Sequence, residues 1–210
     1  MARSPFVLDV GKQRLRAAVK AVEARTCAEI VVAVQPWSAS WAAVDCAVGA
    51  VMGEAALLYT LFAPQEFGLV WIALIVPAAF AVGFMLSRAL PGLRMRLAGP
   101  GRVRKAVEQA ARARFVELGV ANTRERTGVL VYFSLVEGMA SVVADVGVKA
   151  RVDEGAWTKA VARIQDAVAI HGVREAGLAA TSEAVEALAE VLAGPLPRAA
   201  DDVNELEDVA

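Results

Sequence analysis

From Ala42 to Leu86 the chain reads as two membrane-spanning helices joined by a connection too short to hold anything else. Residues 42–62 carry only Asp45 and Glu54 as ionisable side chains, and residues 67–86 carry none. At about 1.5 Å per residue, each stretch is long enough to cross a hydrocarbon core of roughly 30 Å. The link Ala63-Pro64-Gln65-Glu66 is a hairpin turn, so the flanking segments 1–41 and 87–210 are expected on one side of the membrane. A buried soluble hairpin is the alternative. It needs a partner able to cover two stretches that are apolar all round, which a chain of 210 residues does not easily supply.

Charge indicates the side. Arg88, Arg94, Arg96, Arg102, Arg104 and Lys105 follow the second span with no acidic residue among them, whereas the far loop carries only Glu66. By the positive-inside rule both flanking segments are cytoplasmic. The first apolar stretch, residues 5–10, is short and broken by Asp9, so no signal peptide is expected. With 22 basic against 23 acidic residues the chain lacks the charge of a general nucleic-acid binder. The basic run instead suits anionic lipid headgroups, with Arg88, Arg94 and Arg96 as candidates. Cys27 and Cys46 have no metal-site spacing and are expected to stay reduced, and His171 alone cannot build a zinc site.

Outside the spans, helical spacing over residues 9–24 has Asp9 as a candidate N-cap. Residues 28–34 and 127–135 are nearly continuous apolar runs rich in β-branched side chains, as in strands covered on both faces. A helix over 102–119 lies between them. The Glu137-Gly138 turn leads to a third strand over 140–148, antiparallel to the second, followed by helices around 157–168 and 178–192. This order predicts an α/β (α+β) fold, a small mixed β-sheet covered by helices, in which strands 28–34 and 128–134 are parallel neighbours. The soluble domain is then discontinuous, 1–41 with 87–193, interrupted by the hairpin 42–86. Residues 194–210, with Asp201, Asp202, Glu205, Glu207 and Asp208, read as a loose acidic tail.

Within the hairpin, Gly49 and Gly53 on one arm and Ala79, Gly83 and Ser87 on the other repeat at intervals of four. Counted from the turn, Gly49 and Gly83 lie at similar depth, so the two stripes are expected to pack together, the alternative being self-association of one stripe between chains. Glu54 lies about 15 Å into the bilayer by the same count, where an ionised carboxylate costs several kcal/mol. Pro77 on the facing helix lacks an N–H and frees the carbonyl of Ala73. The expectation is therefore that Glu54 donates to that carbonyl or its neighbours and locks the hairpin, against the alternatives of a partner-facing or lipid-facing side chain.

Three segments carry a family resemblance: Arg25-Thr26-Cys27-Ala28-Glu29-Ile30-Val31-Val32, Arg126-Thr127-Gly128-Val129-Leu130-Val131 and Asp145-Val146-Gly147, with Asn204-Glu205-Leu206 near the end. Over roughly residues 10–192 the chain resembles the TPM-domain family, named for thylakoid-lumen photosystem-repair proteins and a nematode receptor-modulating protein. It is most similar to the bacterial membrane subgroup with a helical hairpin inserted in the domain. The resemblance implies a small α/β sandwich in a bacterial inner membrane. Functions in the family include weak acid phosphatase activity, divalent-metal binding, and roles in complex assembly or receptor modulation. Gly138 and Met139 stand where subgroup members usually have basic residues.

For chemistry, Glu29, Glu137 and Asp145 lie at or near strands, and converging at one sheet end they would hold a divalent cation for a phosphatase. The plainer alternative is that Glu29 and Asp145 make structural hydrogen bonds or face water. Arg124 and Arg126 precede the second strand as anion or headgroup candidates, or else pair with Glu125 or Glu29 and merely position it. Ser134, Ser141 and His171 lack any nucleophile context. The reading that results is a binding, assembly or regulatory module rather than a vigorous enzyme, needing no cofactor. Its expected partners are the lipid bilayer and another membrane protein or a second copy, not nucleic acid. The alternatives are the carboxylate phosphatase, which would bring a divalent cation, and a subunit of an ion pathway through Glu54.

Overall fold

Alternation along β1 (Ile30–Gln35) and β2 (Val129–Ser134) sends side chains to two buried faces. A computed structural model describes residues 4–198, 206 and 209. Its chain divides into two compact units, Met1–Ser38 with Lys105–Ala210, and Ala39–Arg104.

In the first unit the sheet has the order β1-β2-β3, β1 and β2 parallel and β3 (Met139–Ala144) antiparallel to β2. Ile30 pairs with Val129 and Gln35 with Ser134, the parallel pairing expected of two runs this apolar. One face, carrying Ile30, Val32, Val129, Val131 and Phe133, packs on α1 (Asp9–Glu23), α7 (Glu154–His171), α8 (Glu175–Glu186) and α9 (Leu188–Leu192). The other, carrying Val31, Ala33, Leu130 and Tyr132, is covered by Val107, Ala111 and Phe115 of α5 (Pro100–Glu117). On α1 the buried residues Leu15, Ala18, Val19 and Val22 keep the i, i+3, i+4, i+7 spacing of a one-faced helix.

Several boundaries differ from the sequence reading. Asp9 is the first residue of α1 and not its cap: Leu8 holds that position, after a short 3-10 turn at Pro5–Val7. The third strand stops at Ala144, because the Asp145 carboxylate accepts from the Val146 N–H (2.7 Å) and starts α6 (Val146–Arg151). Residues 194–210 are not uniformly loose. Leu196 is fully buried, its carbonyl accepts from Cys27 N–H (3.0 Å), and Val209 bridges in parallel to Val32 on the outer edge of β1. The five acids of that stretch, with Asn204, lie outside the described residues.

The second unit holds α2 (Ala42–Phe62), α3 (Leu69–Ala89) and α4 (Pro91–Ala98). The basic segment after the second span is thus helical, broken at Gly99, whose φ of +86° suits glycine. α2 and α3 pack as an antiparallel hairpin, and both are long and apolar enough to cross a membrane. Of their most apolar windows only 22% and 6% is buried, unlike a core helix, which would hide most of that surface. A Cβ on Gly49 would stand 2.9 Å from the Phe80 carbonyl oxygen, and one on Gly83 would stand 2.7 Å from Met52 Cγ, so the two glycines set how closely the arms approach. At Gly53 the nearest atom, the Val76 carbonyl oxygen, lies 3.5 Å away. Gly53→Ala should therefore be neutral or raise thermal stability in detergent, whereas Gly49→Ala should lower it, overpacking costing about 1–3 kcal/mol. Melting of the two variants in detergent checks the difference.

Candidate functional site

At the carboxyl ends of β1 and β2 four polar side chains meet. The Ser38 hydroxyl donates to Ser134 Oγ (2.7 Å), and Ser134 in turn donates to Glu137 Oε2. Each hydroxyl has one proton to give, so the 3.1 Å contact between Tyr132 and Ser38 has the phenol as donor. Burial pushes the Tyr132 phenol above its ordinary value, and the charge of Glu137 adds to this, which keeps that proton in place. The Ser38 N–H also donates to Glu137 Oε1 (3.1 Å). Every proton of this Tyr132–Ser38–Ser134–Glu137 relay is committed, and Tyr132, Ser134 and Glu137 are buried. Its role is to tie the segment after β1 to the turn after β2. Beside it opens a groove of about 310 Å³, bounded by Gln35, Trp37, Tyr132, Ala113, Arg114 and Glu117, with Arg114 paired to Glu117 (3.1 Å) and Trp37 standing 65% exposed.

The opposite end of the sheet holds the segments that carry the family resemblance, and they act there as locks. Arg126, at φ +59°, grips Asp145 through Nε (2.7 Å) and Nη2 (2.9 Å). A Cβ on Gly147 would stand 2.5 Å from the Glu125 carbonyl oxygen, and one on Gly128 would stand 2.1 Å from that of Val120. Thr127 Oγ1 donates to the Cys27 carbonyl (3.1 Å), joining the starts of β1 and β2. Glu125 pairs with Arg151 (2.7 Å), not with either nearby arginine.

The strand register therefore separates the three carboxylates proposed for a cation. Glu137 lies at the far end of a six-residue strand from Glu29 and Asp145, roughly 17–20 Å away. Glu29 and Asp145 flank β2 on opposite sides, two strand spacings of about 4.8 Å apart, and Asp145 is already held by Arg126. No group of three metal-ligating side chains occurs among the described residues. Buried Glu29 borders a cleft of about 300 Å³ with Glu23, Lys20 and Arg198, a balanced set of charges. Arg124 is exposed, and His171 is exposed at the end of α7.

Within the hairpin unit the buried polar centre is Asp45, which sequence reasoning passed over. Its fully buried carboxylate accepts from Ser87 Oγ (2.7 Å) and lies 3.2 Å from Arg94 Nε on α4. The signal was available: the antiparallel pairing that opposes Gly49 to Gly83 opposes Asp45 to Ser87, four residues further from the turn on each arm. Of the other headgroup candidates, the Arg88 guanidinium lies 6.0 Å over the Phe84 ring and Arg96 is exposed. Glu54 does not reach the Ala73 carbonyl. It is exposed and makes no hydrogen bond or ion pair with any described residue, because it lies about 100° around the helix from Gly53, which carries the contact.

No protein-family model matches the chain, and no curated protein is similar to it. A solved structure is similar in fold. The BA42 protein from the psychrophilic bacterium Bizionia argentinensis, determined by NMR, matches with a TM-score of 0.56 at 16% identity, over 98% of this chain and 96% of that one.

The Arg126–Asp145 lock has a measurable signature. Burial alone would raise the Asp145 pKa. The Arg126 hydrogen bonds, the Val146 amide and the charges of Arg126 and Lys149 outweigh it, holding the carboxyl below its ordinary value. A group depressed in the folded state contributes stability that is complete above its unfolded pKa of about 3.9 and is lost as pH falls through the folded one. Denaturant unfolding should thus show wild-type stability dropping below about pH 4, and Asp145→Asn should be less stable at neutral pH with a flatter acid limb.

Proposed function

We infer that the chain is a bacterial inner-membrane protein of the TPM-domain type, both termini cytoplasmic, whose soluble unit serves as a binding or assembly module. The observation that carries this is Glu54: a carboxyl on the outer surface of an apolar helix, at about 15 Å depth, with no partner among the described residues. Ionisable side chains in spans face a protein interior, because hydrocarbon solvates them poorly. A second transmembrane segment, from another protein or another copy, completes that environment. The exposed Trp37 beside its groove offers the soluble unit a matching anchor, tryptophan being the residue type most enriched at binding hot spots. The separation of Glu29 and Asp145 from Glu137 along the sheet weighs against the phosphatase reading.

The test is the size of the complex in mild detergent, extracted from the native membrane. Wild type and Glu54→Gln, which can still hydrogen-bond, should run as a complex larger than one chain, and Glu54→Leu should dissociate it. A wild type that runs as a single chain, or three variants that behave alike, would refute the assignment.

A further inference from the structure

On α2, beside the face that closes on α3, runs an apolar trough of about 440 Å³. Its α2 wall extends from Ala43 to Met52, with Ala43 and Ala47 keeping it low, and Leu97 of α4 forms part of the lining. Arg102 is the only charged residue on it. From Ala43 to Met52 the wall is about 14 Å long at 1.5 Å per residue, half of a hydrocarbon core of roughly 30 Å and hence the depth of one leaflet. The volume is within the range of sites that bind small molecules. The side away from the hairpin is open: Ala43, Ala47 and Val51 are exposed, Val51 by 69%. Arg102 is exposed too and makes no hydrogen bond or ion pair with any described residue, whereas Arg94 is held by Asp45.

We propose that this trough is a binding site for one anionic phospholipid, its acyl chain lying along α2 from Met52 to Ala43 and its phosphate paired with Arg102. An acyl chain matches a leaflet-deep apolar channel, and a single uncommitted cation selects a lipid of net negative charge over a zwitterionic one, whose own cation competes for the phosphate. The site rests on the membrane reading above, since only a bilayer delivers such a ligand to α2.

The full chain, reconstituted in nanodiscs of mixed phosphatidylcholine and phosphatidylglycerol, is released into mild detergent and weighed by native mass spectrometry. One phosphatidylglycerol should remain per chain, in preference to phosphatidylcholine. Arg102→Ala should lower that preference about fivefold, the worth of one basic residue at an anionic surface. Ala47→Trp, which fills the trough, should abolish retention of both lipids, and Arg96→Ala, an exposed cation outside the trough, should change nothing. Equal retention of the two lipids by wild type, undiminished retention in Ala47→Trp, or an Arg96→Ala effect equal to that of Arg102→Ala would overturn the site. A chain that stays in the nanodisc without a lipid sinks this proposal alone. One that never enters the nanodisc sinks the membrane reading with it.

Discussion

The close approach of two apolar helices, set by Gly49 and Gly83, fixes the rest of the hairpin unit. Once those positions oppose one another, the antiparallel geometry brings Ser87 to Asp45 and gives the buried carboxylate a donor at 2.7 Å. Arg94 on α4 supplies the countercharge. An unpaired buried carboxylate is costly, and breaking such a pair by removing one partner typically costs about 3–5 kcal/mol, so the packing register and the polar centre support each other. The same register turns Glu54 outward. The side chain that most needs a partner is thus excluded from the only contact its own chain provides among the described residues.

The sheet unit separates holding from offering. One end is closed by Arg126–Asp145, Gly128 and Gly147, which join the start of β2 to the first turn of α6. The other is closed by a relay that runs from Tyr132 to Glu137 with every proton committed. Beside the relay Trp37 stands on a tied-down segment, exposed at the edge of a groove.

What could be read from the sequence was whatever a run of similar residues encodes. The first span was legible to the residue at both ends, because Ala42 follows a polar stretch and Phe62 precedes Ala-Pro. The parallel pairing of β1 and β2 followed from two strands too apolar to leave either face uncovered. The misses involve side chains acting singly. Asp145 reads as one more residue of an alternating strand until its carboxylate is seen capping α6. Depth along a helix gives the position of Glu54 along α2 but says nothing of its direction around the axis. Ser38, three residues past β1, has no periodic signature, and its place in the relay comes only from tertiary contact. The three carboxylates looked like a set because strand register, which separates them, is not visible in a linear chain.

The account depends most on the hairpin crossing a membrane with the sheet unit inside. Single cysteines placed at Gln65, in the loop between the spans, and at Glu190, exposed on α9, can be labelled in a Cys27→Ser, Cys46→Ser background. With an impermeant maleimide on intact spheroplasts, the Gln65→Cys chain should label before lysis and the Glu190→Cys chain only after it. Labelling at Glu190→Cys in intact cells, or release of the unlabelled chain into the supernatant by alkaline carbonate, would contradict the account.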